Sequence, residues 1–365
     1  MSSLVENVKR AIKIMTDIRE VLKIKNVDIP EGSNADDLPD IIDKSIVEEG
    51  GLGSSKWWAD HIANRVTLYN MFYMASNLVN APPINAQKAV SLSRLFCKCE
   101  NLVSVQEINA PIAENVEYMF EGCYGLEIIR SINIPNAIYA SHMFYNCRKI
   151  KTIPTMDTSK ATDVGSMFSG CASLKTIPPM NTSNVKYFYN MFQGCKSLES
   201  IPPMDTSKAT DMGSIFSGCA SLKTIPPMNT SNITNFNSMF YSCENLKTIP
   251  PMDTSKATDV GSMFSGCTSL KTIPPMNTSN VTNLSSAFRH CNKLESISFT
   301  EGSIKTHISF SESSQLSDDS INSIIAGLAD MTGSSAKKIT FAPNITSKLT
   351  VEQANIITSK NWNIG

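Results

Sequence analysis

The side chains in this chain best suited to chemistry are its ten cysteines. Nine of them, Cys99, Cys123, Cys147, Cys171, Cys195, Cys219, Cys243, Cys267 and Cys291, fall 24 residues apart. A thiol works as a nucleophile or metal ligand only as thiolate, which needs a cationic or polar neighbourhood. A column of thiols at one repeat position reads instead as small buried apolar residues. Coils stacked about 4.8 Å apart do not forbid disulfides. Parallel side-chain vectors make them awkward, so free buried thiols are expected. Cys97 and Cys99 form a lone C-x-C pair with no second pair to complete a zinc site. His61, His142, His290 and His307 are scattered without metal-ligand spacing. Asp157, Asp205 and Asp253 recur every second coil, roughly 9.6 Å apart along a stack. Calcium needs its oxygens within about 2.6 Å, so neighbours in that column cannot share one. There is no glycine-rich phosphate loop and no nucleophile elbow. These residues predict a protein that is not an enzyme and needs no cofactor.

Binding has better candidates. Lys175, Lys223 and Lys271 share one repeat position with Lys151 and Lys247, interrupted by Glu127, Glu199 and Glu295. With the adjacent threonines they form a face suited to an anionic or sugar polymer. The competing and favoured reading is a solvated sheet edge kept from aggregating by lysine. Tyr187 and Tyr189 break the repeat, as Tyr118 and Tyr139 do earlier, and tyrosine is a preferred contact residue. The NTS triplets at Asn181, Asn229 and Asn277 match a glycosylation acceptor but are better explained by turn chemistry.

The elements that must position these residues come from a 24-residue unit, MFSGCASLKTIPPMNTSNVKYFYN at 167–190. Phenylalanine marks it at Phe72, Phe96, Phe120, Phe144, Phe168, Phe192, Phe216, Phe240, Phe264 and Phe288, and the first unit has Ala75 in place of its cysteine. Such a period predicts an α/β solenoid of about ten coils, in which each coil packs on its neighbours. Val164, Met167, Phe168 and Cys171 have i, i+3, i+4, i+7 spacing, which predicts two helical turns per coil. Pro178 and Pro179 cannot donate to a ladder, so strands of three or four residues are expected. The threonine and serine of each NTS or DTS turn are expected to close that turn.

The flanks differ. Residues 1–55 read as a helical segment and hinge, in which Leu4, Val8, Ala11, Met15, Ile18 and Leu22 are spaced as a three-heptad seam. Self-association is favoured there over packing on the same chain. Trp57 and Trp58 are expected to cover the first coil. The solenoid occupies 56–299, and 300–365 reads as a helix–strand–helix cap, with helices over 317–330 and 349–362 around a strand at 337–343. Net charge is near zero, with 32 basic and 33 acidic residues, so nucleic acid is not an expected partner. No apolar run is long enough to span a membrane. The N-terminal stretch lacks the apolar core and cleavage site of a secretory signal.

The run MF-x-GC-x-SL-x-x-IPPM-[DN]-TS resembles the BspA-type leucine-rich repeat of mycoplasma and gut-bacterial surface proteins, over about two thirds of the chain. The resemblance implies a solenoid with a strand per coil and binding to host matrix or to other cells. Similar repeats occur in bacteriophage structural proteins. LSDDSINSIIAGLADMTG (316–333) resembles an end module of such proteins, and DIPEGSNADDLPDIIDKSI (28–46) resembles their attachment segments. These likenesses imply a virion fibre or decoration, made in the host bacterial cytoplasm and needing no export signal. It would homo-oligomerise, meet other virion proteins through its N-terminus and meet a host-surface glycan or protein through the solenoid. The alternative is a bacterial cell-surface adhesin with the same repeats.

Overall fold

A computed structural model describes residues 62–365 of the chain. The heptad positions Leu4, Val8, Ala11, Met15, Ile18 and Leu22 lie outside the described residues, as do Trp57 and Trp58. Each 24-residue unit is one coil of a leucine-rich-repeat-type solenoid of about 12 coils. Two parallel ladders run along it. One joins Thr67, Ser91, Asn115, Tyr139, Asp163, Tyr187, Asp211, Asn235, Asp259 and Asn283, coil to coil. The other joins the strands: β1 (Asn80–Ala81), β2 (Ile84–Asn85), β3 (Ser104–Asn109), β4 (Ile128–Asn133), β5 (Thr272–Met276) and β6 (Ser296–Phe299).

Proline decides where that second ladder is full. β3 and β4 contain none and pair from Ser104↔Ile128 to Asn109↔Asn133, longer than the three or four residues expected. In the proline-bearing coils between them and β5 the ladder shrinks to a bond or two. Glu199 N donates to Lys175 O at 3.0 Å, and the prolines that follow each isoleucine (one after Ile153, two in the later coils) have no N–H to add.

The expected helical turns do not form. Met167 N bonds Val164 O and Cys171 N bonds Phe168 O, each an i to i−3 turn, whereas Val164, Ser166, Phe168 and Gly170 donate to Tyr187, Tyr189, Met191 and Gln193 of the next coil. A helix would spend all of these donors inside its own coil. The alternation spends half of them between coils, which is what holds the stack. It requires left-handed residues at Ser166 (φ 55) and Gly170 (φ 77), four apart, and the pair recurs along the solenoid. Two tandem turns bury the same i, i+3, i+4, i+7 set as a helix, so the spacing cannot tell them apart.

The core is a set of columns. The phenylalanines from Phe72 to Phe288 stack ring on ring, with centroids 5.4 to 6.1 Å apart, in the range where offset stacking is favourable. All ten cysteines are free and buried, as expected. Their thiols are not merely filler. Cys195 Sγ donates to Phe168 O of the preceding coil at 3.0 Å, and the same carbonyl accepts Cys171 N at 3.0 Å. From Phe72 to Phe264 each carbonyl of the phenylalanine column thus uses both lone pairs. Cys99, in the second coil, takes Phe72 O this way. Among the described residues no coil precedes the first, and its Ala75 has no such carbonyl to reach.

The polar turns differ from expectation in one respect. Asp157 Oδ1 accepts Ser159 N at 2.9 Å and Asn181 Oδ1 accepts Ser183 N at 3.2 Å, so aspartate and asparagine close each turn. The buried threonine reaches the next coil instead. Thr158 Oγ1 donates to Asn181 O at 2.9 Å, and Thr182, Thr206, Thr230 and Thr254 repeat the bond.

The solenoid continues past residue 299. Phe310 stacks on Phe288 at 4.8 Å and Phe341 on Phe310 at 6.4 Å. Here the tandem turns are replaced by true helices: α1 (Asp318–Gly327), the short α2 (Pro343–Thr346) and α3 (Val351–Ser359). They alternate with β7 (Ile308–Phe310), β8 (Lys337–Phe341) and β9 (Trp362–Ile364), a parallel sheet in the order β7-β8-β9. Ser317 caps α1, and Thr350 with Gln353 makes a capping box on α3. Lys360 Nζ lies against the last carbonyls of α1, 2.8 Å from Leu328 O, where a cation offsets the helix dipole. Trp362 is buried and its Nε1 donates to Ala329 O.

Candidate binding face

The ladder from Thr67 to Asn283 carries the polar and aromatic residues that break the repeat. Tyr139, Asp163 and Tyr187 occupy three successive rungs. The two tyrosines are 48% and 45% exposed, so each presents about half a ring to solvent on either side of the carboxylate. The residue two places after each rung points to the same strip. There Glu117, Ser141, Gly165, Tyr189, Gly213 and Asn237 follow one another in successive coils. The missing side chain at Gly165 matters, because a Cβ there would run into the ring of Tyr189. Tyr189 lies over this glycine, against Asp163.

Hydrogen bonds fix the acids. Asp163 Oδ1 accepts Gly165 N at 2.8 Å, and Asp211 and Asp259 hold Gly213 N and Gly261 N in the same way. Glu117 accepts Ser141 Oγ at 2.7 Å and Asn115 Nδ2 at 3.2 Å. One place further along each coil, Arg94 lies over Tyr118 at 4.7 Å and Tyr118 stacks on His142 at 4.7 Å. The four tyrosines read as separate interruptions in the sequence are thus neighbours on one strip.

Partial burial tunes this cluster. It raises the Asp163 carboxyl above the usual range, against the opposing bond from Gly165 N. It lowers the His142 imidazole, whose Nδ1 is enclosed without a hydrogen-bond partner. It also raises the Tyr189 phenol, with the charge of Asp163 acting in the same direction. The thiols are further from reactivity, since burial and the neighbouring Glu121 push Cys97 up to about 12.

The lysine column stands half a coil away, on a different strip. Lys175 is exposed beside Thr176. Lys223 pairs with Glu199 at 3.2 Å and Lys271 with Glu295 at 2.7 Å, each across one coil. Glu199 and Glu295 therefore each neutralise one lysine of the column, while Glu127 pairs with Lys149 outside it at 3.8 Å, and exposed pairs of this kind contribute little stability. Asp157, Asp205 and Asp253 are occupied in their own turns. Among the described residues no group of three or more His, Cys, Asp or Glu is placed to hold a metal ion, and no helix is long and apolar enough to cross a membrane.

Sequence reading found the tyrosines but missed Asp163, Asp211, Asn235, Asn237 and the glycines between them. The available signal was the run Gly165, Tyr189, Gly213, Asn237, Gly261 at one repeat position, where small and long side chains alternate.

These features define a leucine-rich-repeat solenoid with one polar, tyrosine-interrupted strip. The family described as "Mycoplasma protein of unknown function, DUF285" matches residues 66–177, 139–249 and 221–321, together more than half of the chain. The protein belongs to that family. Comparison with curated proteins gives no match. Among solved structures, a leucine-rich cell surface protein from Faecalibacterium prausnitzii is 19% identical with a TM-score of 0.30, over 77% of this chain and 81% of its own. A leucine-rich-repeat protein from Bacteroides ovatus is 15% identical with a TM-score of 0.26, over 79% of this chain and 92% of its own.

Proposed function

We propose that this protein is a non-catalytic attachment scaffold, in which the solenoid is a spacer and platform and the strip around Tyr139, Asp163, Tyr187 and Tyr189 is its contact face. The observation that carries this reading is the gathering of half-exposed tyrosines about one carboxylate where the repeat breaks. The phenylalanine, cysteine, threonine and aspartate columns of the repeat are taken up by packing and turn closure.

In its finer form the reading is a virion fibre or decoration. Residues 1–55 attach to the particle and self-associate through the seam of Leu4, Val8, Ala11, Met15, Ile18 and Leu22, and the solenoid meets a host-surface glycan or protein. The likeness of residues 28–46 and 316–333 to phage attachment and end modules supports it. A second reading, a bacterial cell-surface adhesin, is supported by membership of a family described from Mycoplasma. Mass spectrometry of purified particles separates the two. Peptides of the chain in virions are expected. Their absence, with the protein found on intact cells of a strain lacking an active prophage, overturns the virion form. Both forms share the contact face. Tyr139→Ala with Tyr187→Ala should reduce binding of the full chain to host cells at least tenfold, and unchanged binding removes the face from either reading.

A further inference from the structure

The strip contains an opening that the repeat does not require. Tyr189, Gly213 and Asn237 occupy the same position in three successive coils, so a glycine sits between two long side chains. At the neighbouring glycines the equivalent gap is filled. Tyr189 lies over Gly165, and the amides of Asn283 and Asn237 lie 2.6 and 3.0 Å from where a Cβ of Gly261 would stand. Over Gly213 the Asn235 amide stands at 2.8 Å and Asp211 Oδ1 at 3.2 Å, and no atom of the preceding coil comes as near. What remains is a notch of about 200 Å³ walled by Tyr189, Asn190, Asp211, Ser214, Asn235 and Asn237.

We infer that this notch is a subsite for one sugar ring of a neutral glycan. Among the described residues no lysine, arginine or histidine lines it, so an anion finds no counter-charge. A single carboxylate supplies too few oxygens for a hard cation. The volume is below the ~300–1,000 Å³ of pockets for drug-sized ligands. The polar groups have capacity to spare. Asp211 uses Oδ1 on Gly213 N at 2.8 Å, leaving its other oxygen to accept. Asn235 commits its carbonyl to Asn237 N at 3.0 Å, and its amide N–H makes only a long 3.4 Å contact with Asp211. Asn237 likewise directs Nδ2 to Asp259 at 3.4 Å. Among the described residues the side chains of Tyr189, Asn190 and Ser214 find no hydrogen-bond partner. Hydroxyls that donate to a carboxylate and accept from amides, on a ring whose C–H face can rest on an aromatic wall, meet this set. Sugar rings have that chemistry.

The assignment rests on the contact-face reading, because Tyr189 belongs to both, and its test separates the two. The full chain is applied to an array of neutral mono- to tetrasaccharides, and the best of them is followed by saturation-transfer NMR. Saturable binding is expected, and Gly213→Asn and Asp211→Ala should each weaken it at least tenfold. Gly213→Asn places in this coil the residue that Asn237 supplies in the next. Gly213 is not in the left-handed region, so circular dichroism should be unchanged. Glu352→Gln, at an exposed position on α3 in the C-terminal coils, should leave binding intact. An array with no neutral saccharide bound, or binding indifferent to both notch variants, overturns the subsite. If cell binding still depends on Tyr139 and Tyr187 while the array is blank, the contact face stands and the sugar assignment falls.

Discussion

Replacing Cys195 by alanine tests whether the thiol column is filler or a hydrogen-bonded element. The side chain is fully buried and its Sγ donates to Phe168 O at 3.0 Å. Deleting the sulfur removes one buried heavy atom, worth about 0.8 kcal/mol if counted as a methylene. It also removes a hydrogen bond whose net value is about 0.5–1.5 kcal/mol, taken near the lower end because a thiol is a weak donor. Cys195→Ala should therefore cost about 1–2 kcal/mol, and a cavity that fails to collapse adds to this. Serine separates the two contributions. It keeps a donor for Phe168 O, so Cys195→Ser should be no less stable than Cys195→Ala. In a purely apolar slot a hydroxyl would instead cost about 1–3 kcal/mol more. Urea unfolding followed by far-UV circular dichroism gives the totals. Repeat arrays do not always unfold as one unit, so hydrogen exchange at the Cys171 amide, which shares the same carbonyl, gives the local effect. A serine variant weaker than alanine by about 1 kcal/mol or more would refute the shared-acceptor argument.

Two further outcomes follow from the same geometry. Burial raises the Asp163 carboxyl above its ordinary 3.8, so its stabilising contribution is fully present below that value and is lost as pH rises through the folded value. Asp163→Asn keeps the acceptor for Gly165 N and reproduces Asn235, so it should stabilise the protein more at pH 7 than at pH 3.5. Thermal melts at the two pH values check this, and an equal gain at both would contradict it. Ser313, three residues after Phe310, is buried with its Oγ unpartnered. Ser313→Ala should therefore raise stability by roughly 1 kcal/mol in urea titration, and a loss would show that the hydroxyl has a role the structure does not display.

Much of the architecture is legible in the chain alone. The 24-residue period dictates a stack because no coil can bury both of its own faces, and the phenylalanine, cysteine and leucine columns follow from it. The cap helices announce themselves through local chemistry: Ser317 before Asp318, and Thr350 three residues ahead of Gln353. Pro178 and Pro179 foretell a shortened ladder because the missing N–H is a property of the residue. Other features depend on which partner a backbone group chooses. The segment 164–171 has helical spacing, yet its donors alternate between its own coil and the next, and one coil's sequence does not contain its neighbour's carbonyls. The cysteine thiol and the threonine of each turn are settled by the same competition.

The binding face shows the division most clearly. Tyrosine at 118, 139, 187 and 189 stands out as an interruption of the pattern. Stacking sets Tyr139, Asp163 and Tyr187 on successive rungs, lays Tyr189 over Gly165 and leaves Gly213 open. Sequence alone determined that this protein is a solenoid with a few irregular coils, because periodic burial is a one-dimensional property. Tertiary structure decided that the irregularities share one strip around a half-buried carboxylate, because residues 24 apart become neighbours only when the coils stack.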